Sequence, residues 1–208
     1  PHAMQAFLRL AYVPYYATLE AHFGKTVFAI FTDEPSLLGR GARRGQQPWT
    51  SGLAAEFQRR RGYSLVPLLP ALFYDVGERT RQIRHDFQLT LAQRLDETYY
   101  QPLARWCQDH GIALTGHPSG SDEIRPLRHF QLPAQDMVWR WVLPGKPTAL
   151  EGPDSTVAKC SASAARHDAR RRNGNEIYGA YGWHLTMDEM KWLADWLAVR
   201  GVNLLYPH

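Results

Sequence analysis

Two adjacent carboxylates, Asp33 and Glu34, end the run Thr26-Val27-Phe28-Ala29-Ile30-Phe31-Thr32 and are followed by Pro35. The run is β-branched and aromatic with no charge, so it reads as a strand buried on both faces. Charge at the mouth of such a strand suits catalysis, because the strand is rigid and the loop beyond it is open. Polar groups end other apolar runs in the same way. His117 follows Ile112–Gly116, Glu151 and Asp154 follow a short run over 146–150, and His208 follows Val202–Tyr206. Glu176 stands at the start of a run that continues to Trp183.

Several chemistries are excluded by motif. There is no HExxH or comparable helical spacing, so no metal site is expected, and the chain has no P-loop and no GxSxG. No lysine lies inside an expected strand, since Lys25, Lys146, Lys159 and Lys191 flank strands or lie on helices. That counts against a Schiff-base lyase or aldolase. No cofactor is implied. Carboxylates, two histidines and many aromatics remain, with seven Trp, ten Tyr and eight Phe. This is the equipment of glycoside hydrolysis, in which one carboxyl protonates the leaving oxygen and a second acts as nucleophile or activates water. For Glu34 to serve as the acid, burial or a neighbouring charge must raise its pKa. Asp33 points to the opposite face, so the raising group must come from another strand, with Glu176, Glu151 and Asp154 available. The plainer alternative has Asp33 capping the next segment and Glu34 simply solvated.

The elements that must position these groups follow from periodicity. A helix is expected over 3–23, loaded with Phe7, Leu8, Leu10, Ala11, Tyr15 and Leu19 on one side and kinked or split at Pro14. A polar, Gly- and Arg-rich loop covers 38–51, where Trp49 either lies beside a substrate or anchors the loop. A short helix over 52–61 and a Pro-punctuated apolar segment over 62–73 precede the longest helix, Arg79 to His110. Strands are expected at 26–35, 112–117, 137–142, 146–150, 176–183 and 202–206. A helix capped by Ser155 runs from Thr156 to about Arg172, and Asn173-Gly174-Asn175 is turn chemistry. Thr186-Met187-Asp188-Glu189 is a capping box opening the last helix.

Strands alternating with helices imply a parallel sheet within a single α/β domain over 1–208. No GxGxxG follows the first strand, against a dinucleotide fold, and polar groups at several strand ends favour a (β/α) TIM-type barrel. A full barrel takes ~250 residues, so the chain reads as an incomplete barrel covering the later strands.

Composition is that of a globular protein, 44% hydrophobic and 21% charged over 208 residues. The net charge of +4 is concentrated in Arg59-Arg60-Arg61 and Arg170-Arg171-Arg172. Neither cluster has the aromatic interleaving of a nucleic-acid module, so solvated helix faces are expected. No apolar run reaches the ~20 residues of a membrane span. Cys107 and Cys160 form no metal spacing, and Cys107 lies in a helical apolar pattern as a buried thiol.

Four segments carry a resemblance: Phe31-Thr32-Asp33-Glu34-Pro35, His117-Pro118-Ser119-Gly120, Glu151-Gly152-Pro153-Asp154-Ser155 through His167, and Asn175-Glu176 with Tyr178-Gly179-Ala180-Tyr181-Gly182-Trp183. Together they resemble large bacterial barrel glycoside hydrolases of the family 106 α-L-rhamnosidase type. The resemblance implies that Glu34 is a catalytic carboxyl and Glu176 its partner. It also implies that His117 and His208 bind sugar hydroxyls, and that further domains of the same chain surround the barrel. Asp33, Glu151 and Asp154 are additional substrate-binding candidates, and Trp183 is placed to stack on a sugar ring. A non-catalytic carbohydrate-binding piece is the alternative of a different class, and it would tolerate loss of Glu34.

Overall fold

The computed structural model describes residues 2–39, 41–120, 122–137 and 139–208. Five parallel strands form one sheet: β1 (Ala29–Asp33), β2 (Ala113–His117), β3 (Leu132–Asp136), β4 (Gly174–Ile177) and β5 (Leu204–Pro207). They are hydrogen-bonded in sequential order, 1-2-3-4-5. A doubly wound sheet would reverse its order at a switch point, and this sheet does not. It is also curled. Flat strands four steps apart would lie about 19 Å from one another. Yet the rings of Phe31 on β1 and Tyr206 on β5 have centroids 5.5 Å apart. Tyr206 also shares a 2.8 Å hydrogen bond with the Thr115 hydroxyl on β2. The architecture is therefore α/β, with a five-stranded parallel sheet curled as a half-barrel.

Contacts divide the chain into two compact units, Pro1–Pro35 with Tyr100–His208, and Ser36–Tyr99. The first holds the sheet and its helices. Its N-terminal helix is split as Pro14 demands: α1 (His2–Phe7), a π-helical turn (Leu8–Tyr12) and α2 (Val13–Leu19), with Pro14 in the first turn of α2. The apolar stripe expected there is not the buried one. Met4 and Tyr12 are buried, while Leu10 and Tyr15 are exposed. The second unit has its own core. In it α3 (Leu53–Arg61), a Pro-rich 3₁₀ segment (Val66–Leu72) and α4 (Thr80–Leu95) pack Leu53, Phe57, Leu65, Leu72, Ile83, Phe87 and Leu91 together. The arginines of α3 are used internally. Arg59 and Arg60 both bond Glu56, Arg60 also reaches Glu97, and Arg61 bonds Thr90.

The helix expected from Arg79 to His110 is interrupted. After α4 comes a π-helical turn (Asp96–Tyr100) and then α5 (Gln101–Asp109). Pro102, in the first turn of α5, cannot donate into the ladder, and the wider turn absorbs the gap. Helix α6 (Val157–His167) connects β3 to β4, and α7 (Met187–Ala198) connects β4 to β5. A core of Met137, Val142, Ala158, Ile177, Tyr181, Leu193, Trp196 and Leu197 fills the space between these elements. No helix among the described residues is long and apolar enough to cross a membrane.

Four local expectations are corrected. β1 is not buried on both faces: Phe31 within it and Phe28 just before it are substantially exposed. The expected strand over 137–142 is displaced: β3 ends at Asp136, and Trp139–Trp141 forms a 3₁₀ turn. Val138 of that expected strand lies outside the described residues. The expected strand over 146–150 is a 3₁₀ turn at Pro147–Ala149. Ser155 does not cap α6, since its hydroxyl donates to the Gly152 carbonyl inside a 3₁₀ turn (Pro153–Thr156).

The most consequential shift is at β4. Gly174 and Asn175 belong to the strand and not to a turn, because β3 and β5 pair with them on both sides, and a Cβ at Gly174 would overlap the Tyr206 ring packed against it. Glu176 thus moves from the strand's entrance to its carboxyl end. The capping box is formed as read, with the Thr186 hydroxyl accepting from the Glu189 amide and the Glu189 carboxylate accepting from the Thr186 amide.

Candidate active site

Strand register decides which side chains meet. Phe31 pairs with Thr115 and Asp33 with His117, Ala134 pairs with Gly174 and Asp136 with Glu176, and Glu176 pairs with Tyr206. With a side-chain period of two, Phe31, Thr115, Ala134 and Gly174 share one face as an inner layer, with β3 stepped two residues along β2, where Thr115 pairs with Leu132. Above it, at the carboxyl ends, lies a layer of Asp33, His117, Asp136 and Glu176. His208 follows β5 at the same level. The small residues Ala134 and Gly174 leave room for the Tyr206 ring, which reaches Phe31 and Thr115. Gly116 precedes His117 with a φ of 111°, and any side chain there would run into the Thr32 backbone on β1. That close approach brings Asp33 and His117 together.

Glu176 is the hub. Its Oε2 lies 3.0 Å from His117 Nε2 and its Oε1 2.8 Å from His208 Nδ1. Asp33 Oδ1 lies 3.6 Å from the same His117 nitrogen. The His117 side chain is almost entirely buried, edge-on to the Phe31 ring, whereas that of His208 is 70% exposed. Asp33, His117 and Glu176 each offer one donor atom, and the three lie within 4.8 Å of one another. One imidazole and two carboxylates form a set of the kind that can hold a divalent cation. Helical spacing could not reveal it, because each donor comes from a different strand.

Asp136 is the residue that sequence reasoning passed over. Burial pushes its carboxyl up to about 7, and the charges of Glu176, Glu34 and Asp33 push the same way against His117. The sequence around it, Leu132-Pro133-Ala134-Gln135, reads as loop because of the proline and the amide. Both are accommodated. Gly116 pairs with Pro133, and the buried Gln135 accepts a 2.9 Å bond from the Ser161 amide of α6. The usable signal was the end of an extended segment in a carboxylate, the same signal that marked Asp33.

Glu34 lies just past β1 in a left-handed conformation, φ 40°. Tyr178 and Ala180, just past β4, are left-handed too. Non-glycine residues adopt this region at a cost of about 1 kcal/mol or more, and here they sit where chain leaves the two strands that bear Glu34 and Glu176. Glu34 is exposed and near enough to act on Asp136 through its charge.

The remaining candidates are not part of the bonded cluster. Glu151 is exposed beyond the 3₁₀ turn at Pro147–Ala149. Asp154 is half-buried in the next turn; burial, then the charge of Asp136 and last that of Asp154 raise the Tyr181 phenol. Among the described residues no hydrogen bond or ion pair ties either carboxylate to Glu176. Trp183 is fully exposed in the loop after β4.

Known proteins give this arrangement a context. Residues 2–208 match the family described as alpha-L-rhamnosidase, glycoside hydrolase family 106. A protein of Formosa agariphila carrying the name "Putative beta-glucuronidase" is 35% identical over 169 residues, which is 79% of this chain and 14% of that protein. The structure of a rhamnosidase from Novosphingobium sp. PP1Y superimposes on all of this chain with a TM-score of 0.67 at 22% identity, covering 20% of its own length. That likeness speaks to the fold. The chain thus spans well under a quarter of either relative. With its whole described length matched, the chain belongs to the alpha-L-rhamnosidase family of glycoside hydrolases, family 106.

Proposed function

We propose that this chain is part of the catalytic domain of a glycoside hydrolase cleaving α-L-rhamnosidic or closely related bonds with two carboxyl groups. The observation that carries the reading is Glu176, held between His117 and His208 beside Asp33 at the carboxyl ends of parallel strands. In this reading Glu34, exposed and free to meet a substrate oxygen, protonates the leaving group. Glu176, fixed at both of its oxygens, is the second carboxyl and acts on the anomeric carbon as nucleophile or through water. Asp33 accepts hydrogen bonds from sugar hydroxyls, the exposed His208 ring meets them on its outer side, and the buried His117, donating through Nε2, holds the Glu176 carboxylate in place. Asp136, protonated up to about neutrality, adds a donor. Trp183 offers a ring for stacking, and Glu151 and Asp154 contact the substrate farther out. The half-barrel is completed to a (β/α)₈ barrel by other strands of the same protein, which cover the open sides of β1 and β5.

The test is made in the full-length protein with aryl glycosides. Glu34→Gln and Glu176→Gln should each lower kcat on an aryl α-L-rhamnoside by about 10²–10⁴-fold, the usual contribution of a general acid or base. Retention of more than about a tenth of the rate would remove the residue from the chemistry. An aryl β-glucuronide in the same panel tests the sugar, since turnover of it in place of the rhamnoside reassigns the substrate. A wild type that binds glycosides and cleaves none would make this a carbohydrate-binding domain.

A further inference from the structure

The 36–99 unit contains a cleft of about 590 Å³ lined by Leu38, Gly45, Gln46, Gln47, Trp49, Leu69, Leu72 and Phe73. We propose that this cleft is a carbohydrate-binding site for an uncharged sugar residue, sharing no residue with the strand-end cluster; the proposal rests on the glycoside reading above. Its volume falls within the range of small-molecule sites, about 300–1,000 Å³.

The lining chemistry selects the ligand. A pyranose presents C–H faces, which pack on aromatic rings, and hydroxyls, which both donate and accept. Trp49 and Phe73 supply rings, each about half exposed, and the amides of Gln46 and Gln47 match hydroxyls in both senses. No lining residue is ionisable. A uronate carboxylate would find no charge partner among the described lining residues, and bringing it against Trp49, Phe73 and the leucines costs it water.

The cleft is also braced. Gln46 and Arg43 hold each other reciprocally: the Arg43 amide donates to Gln46 Oε1 at 2.8 Å, and the Gln46 amide donates to the Arg43 carbonyl at 3.1 Å. The Gln46 side-chain NH₂ therefore remains as the ligand donor. Leu69 and Leu72 come from the Pro-stiffened 3₁₀ segment, and Arg84 pins its end by donating to the carbonyls of Ala71 at 2.8 Å and Tyr74 at 3.0 Å. Leu72 also belongs to the core of the unit. Binding then costs little reordering. Two other features lack this combination. Trp183 is fully exposed, and the cavity of about 260 Å³ between Ala11 and Ile30 has a lining of apolar and tyrosyl residues without an amide.

Fluorine NMR of the full-length protein labelled with fluorotryptophan tests the proposal, with Trp49→Phe assigning the Trp49 signal. Titration with methyl α-L-rhamnoside or methyl β-D-glucoside should shift that signal with millimolar saturation, and methyl β-D-glucuronide should act at least several-fold more weakly. Gln47→Ala, which leaves the Gln46–Arg43 brace intact, should weaken the response several-fold while leaving the melting temperature in place, as expected for one lost hydrogen bond. The response should persist in Glu176→Gln. A silent Trp49 signal, an equal response to the glucuronide, or a response abolished by Glu176→Gln would overturn the proposal. Wild-type turnover with a silent Trp49 sinks the cleft alone, whereas a responsive Trp49 without turnover of any glycoside sinks the hydrolase reading alone.

Discussion

Asp136 is half-buried among like charges, and its behaviour with pH is the sharpest expression of the site at the scale of one residue. Its folded pKa is raised to about 7 from the ordinary 3.8. A carboxyl shifted upward favours the folded state at low pH and loses that advantage as pH climbs through the raised value. Asp136→Asn removes the ionisation, so the variant should gain stability relative to wild type as pH rises from about 4 to about 8, by on the order of 5 °C in melting temperature. A difference that stays flat with pH would place the charge in solvent. Asn175 offers a second residue-scale test. It is fully buried, and among the described residues neither side-chain amide atom has a partner. An unsatisfied buried polar group costs about 1–3 kcal/mol, so Asn175→Leu should leave the melting temperature unchanged or raise it. A large drop would reveal a partner for the amide.

At the scale of elements, success and failure in reading the sequence divide along physical lines. Boundaries set by local chemistry were legible. The capping box at Thr186, the left-handed Gly111 after α5 and the end of β2 at His117 all depend on near neighbours. Thr186→Ala should accordingly cost about 1 kcal/mol in urea unfolding of the full chain, and no loss would mean that α7 is held by packing alone. Boundaries set by distant neighbours were not legible. Gly174 is strand because β3 and β5 pair with it on both sides, and Leu132–Asp136 is strand because β2 and β4 pair with it and α6 satisfies its glutamine. Those two displacements put Asp136 and Glu176 at strand ends. Asp33, Glu34, His117 and His208 were found because each follows an apolar run, and Asp136 was missed because its run is polar.

For the whole molecule, the curl of the sheet matters more than any single strand. The hydroxyl–hydroxyl bond between Tyr206 and Thr115 and the ring contact between Tyr206 and Phe31 tie β5 back to β2 and β1. Tyr206→Phe keeps the ring and removes the bond, so it should cost about 1 kcal/mol and loosen the opening across which Glu176 meets His117. Hydrogen exchange at the β4 and β5 amides would read this, and unchanged protection would show that packing alone sets the curl. The family was legible from four short segments, three of which are the exits of β1, β2 and β4, where chemistry restricts residue type; the fourth, over 151–167, is a 3₁₀ turn and α6. The division into two units was not, since nothing in local composition marks Ser36 or Tyr99 as a boundary.

The sequential order of the strands also sets a timetable. The five cluster residues come from five successive strands, so no two of them are close along the chain. Every pairing must close a long loop before it gains anything, which makes the assembly entropically slow. On the ribosome, β1 waits for the whole 36–99 unit to emerge before β2 can join it. Glu176 reaches its second imidazole only once His208 has been made. Until then His117, Asp136 and Glu176 can gather only in a half-sheet without β5.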